Sequence, residues 1–297
     1  MGKIVNTVLG PVPSGDLGVT LTNEALLSVL PGAQYAYDIT LDRAAVFETL
    51  ATKLRAFKQS GGEGVVDVTG QFAGRDLRLY EALSRATGVH LIASTGQGPE
   101  GMLGGYFLTP QTNPPTPWPA EKWADLFGAE VTDGMVVPRV ERRGHAGVIA
   151  TAVTAEGATP TDVELLRGSA RAALATGVPV TFVAGADAVA ELAVITQEDL
   201  SASRVAVSSP GSSAAKLAEQ GAYVVLTETS EAVALAEAGH ADRILLATGG
   251  AGQAFGHEVP EAAYDHLISA VRADLPGELA DQILITNPAT LLAVKED

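Results

Sequence analysis

The sequence predicts an α/β fold, a single TIM barrel of eight β/α units that spans residues 1–297. Three observations support this: eight short β-branched runs, longer helical patterns between them, and strands that are nearly continuously apolar. Strands without polar alternation are typical of a parallel sheet that is buried on both faces. Eight units fit the chain length, since such barrels take about 250 residues. A doubly wound open sheet is the alternative, although it usually has fewer strands and a glycine-rich first turn.

The predicted strands and helices alternate along the whole chain, without an internal repeat or a domain boundary. The strands are at 18–22, 65–69, 91–95, 147–150, 178–183, 204–208, 222–227 and 243–247, and the helices at 42–59, 76–87, 163–176, 212–220, 230–239 and 261–275. The clearest helix start is Thr159, an N-cap that is followed by Pro160 and by Asp162 in the first turn.

Two segments are predicted as loops at the carboxyl ends of the strands. A Pro- and Gly-rich stretch gives a long loop over about 96–120, and loops of this length in compact domains are commonly lids or binding loops. A Gly-rich run at 249–257 is predicted to be a flexible loop after the last strand.

Composition excludes several classes of function. The chain has no cysteine, which excludes disulfides, thiolate nucleophiles and Cys-based zinc sites. A net charge of −16 disfavours nucleic acid as a partner. No apolar run approaches the roughly 20 residues of a membrane span, and the short, weakly basic N-terminal stretch leads us to expect no secretory signal. We expect a bacterial, cytoplasmic protein that binds a small-molecule ligand or substrate and contacts no membrane, and we allow for a homodimer.

Short motifs add a family resemblance. In order along the chain they include 17–22, Gly74-Arg75-Asp76, 175–180, Ser203-Arg204-Val205 and the closing 286–289. Each motif is weak alone, but in this order and spacing the chain resembles the phosphotriesterase family of the amidohydrolase superfamily over almost its whole length.

The resemblance implies two metal ions held by six residues at the carboxyl ends of strands. The chain therefore resembles a divergent member that has lost its metal ligands, because the corresponding positions are Asn23, Ala25, Ala150, Val183, Ser209 and Gly249. We predict no metal and no cofactor there, and instead a neutral pocket that can hold part of an organic ligand.

A few polar residues remain at the predicted mouth of the barrel. Glu228 closes the seventh strand and is the candidate general acid or base, with Asn23 as its assistant. Strand alternation predicts that Glu24 lies outside the lumen. Further pocket candidates are Asp67, Gln71, Gln97, Thr227, Thr248 and His257.

Three functions follow, in order of preference. The first is a metal-independent enzyme, such as a lyase, isomerase or cyclase, that acts on a small organic substrate in the vacated mouth. The second is a non-catalytic pseudoenzyme that binds a ligand or a partner protein. The third is a residual metal-dependent hydrolase that uses Asp67, Glu228 and His257 as hard ligands.

Overall fold

The computed structural model describes residues 2–33, 36, 39–71, 73–103, 108–109, 116–137 and 141–295. Within them the strands are β1 (Lys3–Thr7), β2 (Gly10–Pro13), β3 (Thr20–Val29), β4 (Gly64–Asp67), β5 (His90–Thr95), β6 (Leu108–Thr109), β7 (Thr116–Pro117), β8 (Met135–Val137), β9 (Glu141–Arg143), β10 (Val148–Ala152), β11 (Val180–Val183), β12 (Val205–Ser208), β13 (Tyr223–Leu226), β14 (Ile244–Leu246), β15 (Ala251–Phe255) and β16 (Val294–Lys295). The α-helices are α1 (Arg43–Gln59), α2 (Leu77–Thr87), α3 (Ala120–Thr132), α4 (Pro160–Thr176), α5 (Ala188–Thr196), α6 (Ala214–Glu219), α7 (Thr229–Leu235), α8 (Tyr264–Asp274), α9 (Gly277–Asp281) and α10 (Asn287–Leu292).

The fold is α/β, with a parallel nine-stranded sheet in the order β14-β13-β12-β11-β10-β5-β4-β3-β15. All eight predicted strands are confirmed as members of this sheet. The ninth strand, β15, lies in the segment predicted as a loop, and that prediction was wrong. Its backbone pairs with β3 from Ala25 to Val29, so the glycines there fit between strands rather than in a turn.

The sheet separates two apolar layers, as strand alternation requires. Val65 packs with the helices in the large outer core, whereas its neighbour Val66 packs in an inner cluster. Side chains of β3, β4, β10, β11, β12 and β13 line one void of about 10 Å³ together with Leu291 and Leu292 of α10. Strands that are far apart in the sheet order therefore share one interior, and the sheet is curled.

Both ends of the chain pack on that interior. Val5 of β1 and Leu292 of α10 are buried in the same inner cluster, and β16 pairs with β1 in a small antiparallel sheet. Asn287 is buried and donates two hydrogen bonds from its amide, to the carbonyls of Ala241 and Ile244 just before and at the start of β14. This explains the closing motif 286–289 in physical terms.

The predicted loop at 96–120 contains ordered elements. A 3-10 turn covers Glu100–Met102, and β6 pairs with β7. The rest of its tip, at residues 104–107 and 110–115, lies outside the described residues. Within the part of the chain that the structure describes, no helix is long and apolar enough to cross a membrane.

Candidate functional site

The first candidate position, Asn23, lies at an irregularity in β3. Its φ is +64°, and the pairing of β3 with β4 shifts register between Leu21 and Glu24. An irregularity of this kind re-aims a side chain. The Asn23 side chain reaches across the sheet, where its Oδ1 accepts a hydrogen bond of 2.8 Å from the hydroxyl of Thr181 on β11. Within the described residues its amide nitrogen has no protein acceptor, and the side chain lines the void of about 10 Å³ that Leu291 and Leu292 also bound.

Two more of the six candidate positions have left-handed backbone. Ser209 has a φ of +55° directly after β12, and Gly249 has a φ of +69° three residues after the end of β14. Non-glycine residues seldom adopt this conformation, and such outliers cluster at functional sites. A Cβ on Gly249 would come within 2.9 Å of the Thr227 side chain, so the ends of β13 and β14 are close together.

The remaining candidate positions carry small or apolar side chains. Ala150 on β10 is buried, Ala25 is half-buried, and Val183 at the end of β11 is 38% exposed. An exposed valine at the carboxyl end of a central strand shows that solvent reaches this end of the sheet. Gly96 packs on β10 so closely that a Cβ there would lie 1.9 Å from the Ala150 carbonyl oxygen.

A cavity of about 540 Å³ opens beside the ends of β12 and β13. It contains two of the predicted pocket residues, Ser209 and Thr227, and is otherwise bounded by the loop after β12, by α6 and by α7. Its volume falls within the range of small-molecule sites. Its only ionisable lining residue is Glu231, in the first turn of α7. Sequence reasoning missed Glu231, because the residue looks like an ordinary acid at the start of a helix; its spacing of three from Glu228 is the available signal.

Glu24 is completely buried and links β3 to the segment after β14. Its carboxylate accepts a hydrogen bond of 2.7 Å from the Thr248 backbone N–H and a second one from the Thr248 hydroxyl. Burial raises the pKa of Glu24 to about 7, against the lowering effect of the Thr248 bonds. Thr248, a predicted pocket residue, is therefore bound to Glu24, and its hydroxyl holds the turn after β14.

Asp67 has a structural environment. It is completely buried, and it accepts hydrogen bonds from the Leu26 backbone N–H at 2.8 Å and from the Thr69 hydroxyl at 2.6 Å. Burial also raises the pKa of Asp67. Both oxygens are engaged in bonds within the sheet, so the structure gives this predicted pocket residue no free atom for a ligand.

Gln71 and Gln97 form one polar cluster behind β5. The Gln97 amide donates to Gln71 Oε1 at 2.5 Å, and Gln71 Nε2 lies 3.5 Å from the Thr95 hydroxyl. Behind them Arg75 makes a buried two-point ion pair with Glu130, at 2.6 and 2.9 Å. Burial alone would raise the pKa of Glu130, but the Arg75 guanidinium lowers it overall. Arg75 of the Gly74-Arg75-Asp76 motif therefore has a structural role, in a buried ion pair with Glu130.

Glu228 and His257 are not brought together with these groups. Glu228 is exposed; its backbone carbonyl accepts from the Ala232 N–H, and within the described residues its carboxylate makes no hydrogen bond or ion pair. His257 lies beyond the end of β15, where its Nε2 is 2.9 Å from the Ser28 hydroxyl. Within the described residues no three His, Cys, Asp or Glu side chains form a group that could hold a metal ion. Asp67, Glu228 and His257 therefore do not converge.

Comparisons with known proteins agree with this architecture. An N-acetyltaurine hydrolase of Tetraodon nigroviridis is 30% identical over 223 residues, which cover 65% of this chain and 60% of that protein. An aryldialkylphosphatase of Saccharolobus solfataricus is 24% identical, over 72% of this chain and 67% of that protein. The chain thus spans about three fifths of the length of the first of these relatives.

Solved structures show the same fold over almost the whole chain. A mutant PTE-like lactonase of Deinococcus radiodurans has a TM-score of 0.82 at 23% identity and covers 97% of this chain and 99% of its own. The model of the phosphotriesterase family matches residues 3–292. This protein belongs to the phosphotriesterase family.

Proposed function

We propose that this protein is a metal-independent enzyme that acts on a small organic substrate at the carboxyl ends of the parallel strands. One observation carries the proposal. The six positions that the resemblance assigns to metal ligands bear neutral side chains, and one of them, Ser209, lines an open cavity of about 540 Å³ at the ends of β12 and β13.

The residues at these positions do not fit a pair of divalent metals. Zinc and related ions prefer imidazole, thiolate and carboxylate ligands, whereas this set offers one amide, one hydroxyl and four side chains without donor atoms. The one amide oxygen, on Asn23, is already bonded to Thr181. These six residues therefore do not form a ligand set for a catalytic metal.

The backbone supports a retained site. We take the curled sheet to be a closed (β/α)8 barrel, because β14 contacts β3 as well as β13. In such barrels the carboxyl ends of the strands carry the chemistry. Asn23, Ser209 and Gly249 have left-handed backbone, and outliers of this kind cluster at functional sites.

Positioning supplies most of the proposed catalysis. The free amide nitrogen of Asn23 donates to a substrate carbonyl, and Glu228 accepts or returns a proton when substrate orders its side chain. A lyase, isomerase or cyclase reaction needs only these functions. One relative is named as a hydrolase and another as an aryldialkylphosphatase, whereas the six positions that the resemblance assigns to metal ligands are neutral in this chain.

A second candidate is a pseudoenzyme that binds a small molecule without turnover. The observation that favours it is the exposure of Glu228, which nothing in the described part of the chain holds in place. Both candidates use the cavity, whose lining includes neither Asn23 nor Glu228, and they differ in whether these two residues affect a reaction rate.

Metal content tests the proposal first. Protein expressed without a tag in medium supplemented with zinc and manganese is analysed by plasma mass spectrometry, and we expect close to zero metal per chain. A stoichiometric pair of metal ions would overturn the proposal and restore a hydrolase.

Activity variants then separate the two candidates. Once a substrate is found, Asn23→Ala and Glu228→Gln are each expected to lower kcat by about 100-fold, the scale for a lost hydrogen-bond donor to a reacting carbonyl and for a lost proton-transfer group, respectively. Glu258→Gln, an exposed acid beyond β15, is the control. If both site variants keep full activity, these catalytic assignments are wrong.

A further inference from the structure

We propose that the cavity between β13, α6 and α7 binds a small organic cation, with its apolar body in the cavity and its ammonium group at Glu231. The inference rests on the proposed function, because it takes the bound molecule to be the substrate of the same strand ends. It adds the chemical class of that substrate, which neither the fold nor the family model provides.

The walls of the cavity are made of small apolar side chains. Ala214 and Ala215 line it from α6, and Ala234, Leu235 and Ala238 line it from α7 and the turn that follows. Facing helices that pack through alanine leave room between them that leucine or phenylalanine would fill. This surface suits an alkyl or aryl group and stabilises it by about 25 cal/mol per Å² of apolar area that it covers.

Charge selects the polar end of the ligand. Glu231 is the one charged residue in the lining, it is exposed, and it has no ion pair or hydrogen bond within the described residues. Lys216 lies on α6 but is not part of the lining. A carboxylate without a partner beside an apolar wall repels an anion and attracts a cation, and the net charge of −16 steers cations toward the whole molecule.

Hydroxyl groups complete the match. The same lining includes three hydroxyl side chains, of Ser209, Ser212 and Thr227. Their oxygens can accept hydrogen bonds from the N–H groups of an ammonium ion. Ser209 and Thr227 are also the residues that connect the cavity to the strand ends. A cation held by Glu231 therefore lies beside the face where the proposed reaction occurs.

Three probes of equal chain length test the inference: n-hexylamine, n-hexanol and n-hexanoate, titrated separately into the full-length protein and followed by NMR. We expect hexylamine to have a Kd at least tenfold lower than those of hexanol and hexanoate. Glu231→Gln should raise the hexylamine Kd to the value for hexanol and leave hexanol itself unchanged.

Two further variants make the outcome specific. Glu237→Gln, which removes an exposed acid of the next turn that is outside the lining, should leave all three constants unchanged. Ala234→Trp fills the cavity from an exposed helix position and should abolish binding of both hexylamine and hexanol. Equal binding of hexanoate, or equal effects of the two glutamate variants, would overturn the inference. So would unchanged binding in Ala234→Trp.

The binding assay is independent of the test of the proposed function. Amine binding requires neither turnover nor a particular metal content. A metal-loaded protein that still prefers hexylamine through Glu231 would contradict the proposed function and support this inference, whereas a metal-free protein that prefers hexanoate would do the opposite.

Discussion

Glu24 shows how a single buried residue can affect the stability of this protein. Its carboxyl is fully buried next to Asp67, and within the described residues no cation pairs with either acid. Burial disfavours the charged form, and the two Thr248 hydrogen bonds offset that cost only in part. The folded state therefore holds a proton on Glu24 at a pH where the unfolded chain releases it.

Replacement of Glu24 by Gln should change how stability depends on pH. Since the pKa rises from 4.5 to about 7 on folding, the free energy of unfolding falls as pH increases from about 4.5 to 7 and levels off once both states are ionised. The shift corresponds to a loss of about 3 kcal/mol at pH 8. We expect Glu24→Gln to gain up to that amount over the wild type between pH 4.5 and pH 8, as measured by urea unfolding.

The comparison needs an exposed acid as its control. Glu258→Gln makes the same chemical change in an exposed residue and should follow the wild-type profile throughout. Asp67 contributes a pH dependence of the same sign, so the difference between variants reports Glu24 together with its coulombic interaction with Asp67. A constant difference between Glu24→Gln and wild type from pH 4.5 to 8 would refute the explanation.

The sequence predicts which residues are candidates for the site, but it does not predict their contacts. Alternation placed Asn23 toward the interior, and the structure places it against Thr181. The positive φ of Asn23 and the register shift beside it break the alternation on which that reasoning rests. The same break explains why the Thr248 contact of Glu24 has no signal in the pattern of β3.

At the scale of elements, α4 has the strongest start in the chain. The Thr159 hydroxyl accepts from the Asp162 N–H, and Asp162 Oδ2 accepts from the Thr159 N–H, which completes a capping box. Asp162 is buried, and it also accepts hydrogen bonds from the N–H groups of Glu100 and Thr154. One carboxylate therefore joins the helix to the end of β10 and to the long loop after β5.

Asp162→Asn should weaken the hydrogen bonds from the N–H groups of Thr159, Glu100 and Thr154. The amide keeps one acceptor oxygen and turns a donor toward backbone N–H groups, so we expect a loss of about 2–3 kcal/mol, the scale of hydrogen bonds to a charged group. Urea unfolding measures the loss, and hydrogen exchange should show faster exchange at the Glu100 and Thr154 amides.

A second N-cap provides the matched control. Asp187 caps α5 with one bond to the Ala190 N–H, so Asp187→Asn should cost about 1 kcal/mol or less. Equal losses in the two variants would mean that the extra bonds of Asp162 contribute nothing.

Elements that the sequence analysis missed have an identifiable cause. The helix α3 follows a Pro-rich stretch that drew attention to turns, although Trp123, Phe127 and Val131 recur at the spacing of four that a buried helix face requires. Strand β15 has Gly252 where a Cβ would lie 2.7 Å from the Leu26 carbonyl oxygen, so its glycine serves close packing on β3. Local composition does not separate that role from a flexible loop.

At the scale of the whole molecule, the order of strands and helices follows from the sequence, whereas the way the ends meet does not. Periodicity predicts each β/α unit, because every unit buries its own apolar face. In the inner cluster, residues near the two ends of the chain pack together although they are more than two hundred positions apart, such as Val5 and Leu292. No local pattern encodes that pairing.

The paired chain ends lead to the last prediction. Leu292 is 2% exposed in the inner cluster that includes Val5, Val66 and Val148, and Leu174 on α4 is 50% exposed. We expect Leu292→Ala to lower the free energy of unfolding by about 2–5 kcal/mol. The substitution leaves an empty space between strands from across the sheet, and these strands cannot move in to fill it.

Leu174→Ala makes the same chemical change outside the core and should shift the free energy of unfolding by no more than about 0.5 kcal/mol. Both proteins are compared by urea unfolding at one pH. The hexylamine affinity of each protein is measured as well, to check whether the cavity between β13, α6 and α7 is unchanged. If α10 closes the interior, Leu292→Ala loses stability and keeps that affinity, since Leu292 does not line the larger cavity. Equal stability of the two variants would mean that the packing of α10 against the inner cluster does not stabilise the fold. The interior of the curled sheet would then be stabilised by contacts among the strands alone.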